Sequence, residues 1–127
     1  MSIRVLLADD SPLIRKAIAG ILEVDPEIQV LAEAASFNQT MLLASTLHPQ
    51  VVVLDIYMGQ RNDVTPSEIK LYLADSIVLA ISFLTNDETK AIADSYGAVA
   101  FLDKTKLADE LIPAIKRCVK NSSGLWI

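Results

Sequence analysis

The sequence is short of several things, and each shortage closes a class of function. It holds a single cysteine, Cys118, in 127 residues, so no internal disulfide can form and a reducing compartment is expected. No apolar run approaches the ~20 residues that a helix needs to cross a bilayer. The first residues carry no charged-then-apolar leader, so a cytoplasmic protein that makes no use of membrane is expected. Positive charge is also scarce: eleven Lys and Arg stand against sixteen Asp and Glu, a net charge of −5. That balance argues against the domain gripping nucleic acid or an anionic membrane by itself. Internal repeats and low-complexity tracts are missing, and only Lys120-Asn121-Ser122-Ser123-Gly124 has the composition of a linker.

What is present is the composition of one globular domain, with 52% apolar and 21% charged residues. Aliphatic runs at Ile3–Ala8, 28–32, Val51–Asp55, Ile77–Ser82 and 98–102 read as strands. Segments of helical periodicity at 13–24, 37–47, 65–74, 87–96 and 107–119 lie between and after them. Ser11 followed by Pro12 suits the start of the first helix, and Asp25-Pro26 its end. Ser36 suits the start of the second, which stops at His48-Pro49. Thr65, Pro66 and Glu68 have the spacing of a capping box, and Gly97 closes the fourth helix. Segment 56–64, with Gly59, Asn62 and Asp63, reads as loop. Five strands alternating with five helices imply an α/β fold, a parallel sheet covered on both faces by right-handed crossovers. The pattern leaves the strand order open.

The central run is Val51-Val52-Val53-Leu54-Asp55, a strand buried on both faces that ends abruptly in a carboxylate. The carboxyl edge of such a sheet is where open α/β folds put their chemistry. The first strand likewise runs into Asp9-Asp10, and the last into Asp103-Lys104. Carboxylates gathered at one edge repel and raise one another's pKa unless a cation offsets them. A bound divalent cation and a phosphoryl group account for the acids and the lysine together.

The order of these residues resembles the receiver domain of two-component response regulators, over about residues 3–119. The matching residues are Asp9-Asp10, Asp55 with Met58 three residues on, the hydroxyl of Ser82 ending the fourth strand, Lys104, and Phe101 three residues before that lysine. Each match is weak alone; in this order they are specific. The resemblance implies a flavodoxin-like, doubly wound five-stranded parallel sheet of order 2-1-3-4-5. It divides the chain into a receiver domain over residues 1–120 and, at 121–127, a tail or the start of a linker. It also implies a set of roles. Asp55 would be the phosphoacceptor, taking a phosphoryl group from a phosphohistidine on a histidine kinase. Asp9, Asp10, Asp55 and the main-chain carbonyl of Tyr57 would hold Mg²⁺, which favours oxygen ligands. Lys104 would act as a point charge on the phosphoryl oxygens. Ser82 would turn inward to them while Phe101 rotates into the space left, switching the face formed by helix 4, strand 5 and helix 5. Such a domain assists its own phosphotransfer and dephosphorylation but is not a turnover enzyme. It could pair as a homodimer, and would reach DNA only through an output domain outside this chain.

Several residues depart from the family pattern. Gly59 and Thr105 stand where prolines are usual, the latter as in the branch carrying a LuxR-type helix-turn-helix. Phe83 is bulky beside the phosphorylation site, where a small residue is usual. Tyr57 and Leu84 would flank the water that attacks the phosphoryl group, and neither can orient it, which implies slow self-dephosphorylation. Leu125-Trp126-Ile127 could fold back on the domain; it also resembles the passage into a DNA-binding domain, so the chain is expected to be the receiver part of a transcription regulator. His48 reads as a turn residue and Cys118 as a half-buried apolar one. A phosphorylation-independent interaction module is the alternative. A flavin carrier of similar topology is disfavoured, because Asp9-Asp10-Ser11-Pro12 would repel the phosphate such proteins cradle.

Overall fold

The computed structural model describes residues 2–59 and 64–124. Strands β1 (Ile3–Ala8), β2 (Ile28–Ala34), β3 (Val51–Asp55), β4 (Ile77–Ser82) and β5 (Ala100–Asp103) form one parallel sheet of order β2-β1-β3-β4-β5. Between and after them run α1 (Pro12–Glu23), α2 (Phe37–Leu47), α3 (Pro66–Tyr72), α4 (Asp87–Ser95) and α5 (Leu107–Gly124), with a 3₁₀ turn at Lys104–Lys106 before α5. The fold is the flavodoxin-like α/β arrangement that the resemblance implied. Among the described residues no helix is long and apolar enough to cross a membrane.

Because successive strand side chains point to opposite faces, the sheet divides its aliphatic residues between two cores. Leu6, Val52, Leu54 and Val78 pack under α2, α3 and α4, where Phe37, Met41, Ile69 and Tyr96 meet them. Val5, Leu7, Val53 and Ile81 pack under α1 and α5, against Ile18, Leu22, Leu111 and Ile115. β3 lies between them with every residue buried, as its unbroken apolar run demands.

The caps follow the local sequence. Ser11 Oγ accepts the Ile14 N–H at 3.2 Å, and Ser36 Oγ accepts that of Gln39 at 3.1 Å. Thr65 and Glu68 form the reciprocal capping box. Asn86 caps α4 by accepting the Thr89 N–H at 2.8 Å, and His48 closes α2 in the left-handed region at φ 49°.

Four boundaries differ from the sequence reading by two residues or more. β2 continues past residue 32 to Ala34, since Glu33 and Ala34 still pair with Leu7 and Ala8 beyond a bulge in the ladder. β5 starts at Ala100 rather than 98, because the Ala98 N–H turns back to the Ala93 carbonyl to finish α4. α3 stops at Tyr72 rather than 74. α5 does not end at 119: the linker-like residues 120–124 are helical. Weak helix formers extend a helix that tertiary packing has already nucleated. Of the loop expected at 56–64, residues 60–63 lie outside the described residues, as does Leu125-Trp126-Ile127.

Pro113 sits inside α5 on its exposed side. It offers no N–H to the Asp109 carbonyl and its ring crowds that group. Pro113→Ala should therefore raise stability by about 1–3 kcal/mol in urea titration. A fall in the midpoint would mean that α5 requires the distortion.

Candidate functional site

Each residue singled out by the sequence reading at a strand end, Phe101 apart, arrives at the carboxyl edge of the sheet. Asp9 follows β1 directly, Asp55 ends β3 and Ser82 ends β4, on three adjacent strands. Lys104 opens the turn after β5, and its long side chain returns across β4. The ammonium lies 2.6 Å from Asp9 Oδ2 and 3.3 Å from Asp55 Oδ2, with only 7% of the side chain exposed. This lysine is thus the floor of the cleft, not a surface residue at a helix start.

The backbone completes the site. Asp9 Oδ1 accepts the Ser11 N–H at 2.9 Å, Asp55 Oδ1 accepts the Tyr57 N–H at 3.0 Å, and Asp10 Oδ2 accepts the Gly59 N–H at 3.0 Å. Burial raises the Asp55 pKa above the usual carboxylate value. The Tyr57 N–H and the Lys104 charge oppose that rise, and the Asp9 charge adds to it.

Asp9, Asp10 and Asp55 each offer an oxygen within 4.8 Å of the others. Asp9 Oδ2 is buried and has no hydrogen-bond partner, only the ion pair with Lys104. Three carboxylates against one ammonium leave excess negative charge in a cleft of hard oxygen donors, and that set fits a divalent cation such as Mg²⁺.

Above this acidic floor the rim is apolar. Tyr57, Phe83, Leu84 and Ile14 line the opening of a cleft of about 340 Å³ that also holds Ser82. The Phe83 ring is 57% exposed and lies with its centroid 5.2 Å from the Lys104 ammonium. Ser82 Oγ accepts the Leu84 N–H at 3.0 Å. Phe101 is not part of this cleft; it is half-buried and packs against the core under α4, beside a second depression lined by Lys90 and Asp94.

Three contacts escaped the sequence reading. The Tyr57 hydroxyl shares a 3.0 Å hydrogen bond with Thr89 of α4, which is fully buried. The Arg15 guanidinium of α1 donates to the Asp9 main-chain carbonyl at 2.6 Å and pairs with Glu33 of β2 at 3.0 Å. The Tyr57–Thr89 and Arg15–Glu33 pairs join side chains that only the crossovers bring together, and the Arg15 contact with a main-chain carbonyl leaves no signal in residue spacing.

Comparison with known proteins gives a consistent picture. A family model described as the response regulator receiver domain matches residues 5–116. The transcriptional regulatory protein LiaR of Bacillus subtilis is 34% identical over 125 residues, covering 97% of this chain and 59% of that protein. A protein-glutamate methylesterase/protein-glutamine glutaminase of Pyrococcus abyssi is 33% identical, covering 93% of this chain and 35% of its own length. The chain thus spans about a third to three fifths of the length of these two relatives. Among solved structures, the response regulator domain of Thermotoga maritima CheB superimposes with a TM-score of 0.81 at 27% identity, covering 94% of this chain and 98% of that one. A LuxR-family response regulator from an Aurantimonas species gives 0.83 over 95% of this chain and 87% of that one; at 22% identity it supports the fold alone.

The raised Asp55 pKa has a consequence for stability in metal-free buffer. Between its unfolded and folded pKa values the folded state binds more protons than the unfolded one, so stability falls as pH rises through that window. Asp55→Asn should therefore melt at a higher temperature than the parent at neutral pH. The difference should shrink as the buffer is made acidic enough to protonate Asp55 in the parent. A gap that widens on acidification would show that Asp55 is held charged by Lys104 instead.

Proposed function

Because the chain belongs to the family of response regulator receiver domains, we propose that it is a phosphoacceptor of a two-component pathway that takes a phosphoryl group onto Asp55 from the phosphohistidine of a histidine kinase. The observation that carries this reading is the cluster of Asp9, Asp10 and Asp55 around the buried Lys104 ammonium. An Asp55 carboxylate oxygen attacks phosphorus and forms a P–O bond. The P–N bond to the donor imidazole breaks, and its electron pair stays on that nitrogen. The product is an acyl phosphate on Asp55.

Lys104 keeps its positive charge through this exchange and moves from pairing carboxylates to pairing phosphoryl oxygens. Asp9, Asp10, Asp55 and the Tyr57 carbonyl would hold Mg²⁺. The ion, when bound, supplies neutralisation of charge on the transferring oxygens. Ser82, whose Oγ accepts the Leu84 N–H, turns inward to donate its O–H to a phosphoryl oxygen. That movement biases Phe101 and the α4–β5–α5 face toward a second arrangement. The phosphoryl group stays on the chain, so the domain is a switch and not a turnover enzyme. The similarity to LiaR, which is longer than this chain, supports an output in transcription through a DNA-binding part beyond these residues.

Incubation with Mg²⁺ and a small phosphodonor should add one phosphoryl group by mass spectrometry, and Asp55→Asn should abolish the gain. No gain in a protein shown to bind the metal would favour the phosphorylation-independent module instead.

Dephosphorylation should be slow. Tyr57 and Leu84, 42% and 55% exposed, flank the cleft with groups unable to orient an attacking water, and the Tyr57 hydroxyl is engaged with Thr89. Tyr57→Asn combined with Leu84→Glu should shorten the acyl phosphate lifetime roughly tenfold or more. An unchanged decay, followed by loss of the phosphorylated mass, would remove this assignment.

A further inference from the structure

The contacts around Asp9 hold its backbone from every side. Its N–H donates to the Ala34 carbonyl of β2 at 3.0 Å, and its Oδ1 accepts the Ser11 N–H. Its carbonyl, the acceptor of the peptide that joins it to Asp10, receives the Arg15 guanidinium at 2.6 Å. The same guanidinium is braced by Glu33 at 3.0 Å through Nε, and only 17% of the Arg15 side chain is exposed. An isolated surface ion pair of this kind would be worth little. Here a third partner, the backbone of the acidic pair, is held by the same planar fork.

Charge alone argues against an arginine at this place. A guanidinium beside a cluster of three carboxylates opposes the entry of a second cation, and Glu33 offsets that only in part. Fixing the 9–10 peptide works in the other direction. It sets the path from which the Asp10 side chain departs, and Asp10 then meets the Gly59 N–H at 3.0 Å and lies within 4.8 Å of its two fellow carboxylates.

We infer that Arg15, braced by Glu33, is a positioning residue for the divalent-cation site, acting through the Asp9–Asp10 peptide. This rests on the cation-binding reading given above. Ligand orientation from outside the coordination sphere commonly governs metal affinity by about 10–100-fold, and one main-chain contact should lie at the lower end of that range.

The two effects of Arg15 have opposite signs, which makes the test decisive. Mg²⁺ affinity of the full chain is measured by calorimetric titration for the parent, Arg15→Met and Arg15→Lys. Positioning predicts about a tenfold weaker affinity for Arg15→Met. It also predicts a loss for Arg15→Lys, which keeps the charge but cannot hold the carbonyl and Glu33 together in one plane. Simple electrostatics predicts tighter binding for Arg15→Met and no change for Arg15→Lys, and either result would overturn the inference. If Arg15→Met fails to fold, the Arg15→Lys comparison decides alone. A parent that binds Mg²⁺ beside variants of equal affinity removes only the role of Arg15. A parent that binds none removes the cation reading and this inference together.

Discussion

The Lys104 ammonium, between Asp9 at 2.6 Å and Asp55 at 3.3 Å, fixes what the rest of the domain must supply. Two buried carboxylates that share one cation are tolerable; adding Asp10 leaves the cleft with a surplus of negative charge. Burial presses Asp55 toward its protonated form, while an N–H and an ammonium press it back. The pocket is therefore balanced short of neutrality, and a divalent cation or a rearranged lysine changes that balance immediately. The sheet makes such a pocket possible, because adjacent strands ending at one edge put their terminal acids side by side without any loop having to reach inward.

Much of this was legible in the sequence. The unbroken aliphatic run before Asp55 demanded a strand covered on both faces, and the two cores divide its neighbours accordingly. Ser11, Ser36 and the Thr65–Glu68 pair marked helix starts that the structure keeps. The order of the strands was not legible from pattern, since periodicity says which face a residue takes and nothing about its neighbour across the ladder; it came from the resemblance. Glu33 shows how a boundary is lost: a charged residue breaks an apolar run, yet the backbone ladder continues past it while its half-exposed carboxylate meets Arg15. At 120–124 the error ran the other way, with polar residues of low helix propensity continuing α5.

The rim of the cleft sets this chain apart from the expected receiver pattern. Phe83 turns an aromatic face to Lys104, and Tyr57 spends its hydroxyl on Thr89 instead of pointing it at the acids. An oily collar around an ionic floor lines the approach to the place where an acyl phosphate would form. The Tyr57–Thr89 contact also ties the loop after β3 to the first turn of α4, so the cleft and that helix are mechanically joined before any phosphoryl group arrives.

α5 begins immediately after the turn that carries Lys104 and continues without interruption from Leu107 to Gly124. Eighteen residues at 1.5 Å each make a rod of about 27 Å. That rod is held along its length: Leu107, Leu111, Ala114 and Ile115 lie in the core under the sheet, and Cys118 and Val119 pack against the same core farther on. A displacement of the lysine turn therefore cannot be taken up by a free end and has to be absorbed by that packed seam as a whole, the helix carrying its core side chains with it.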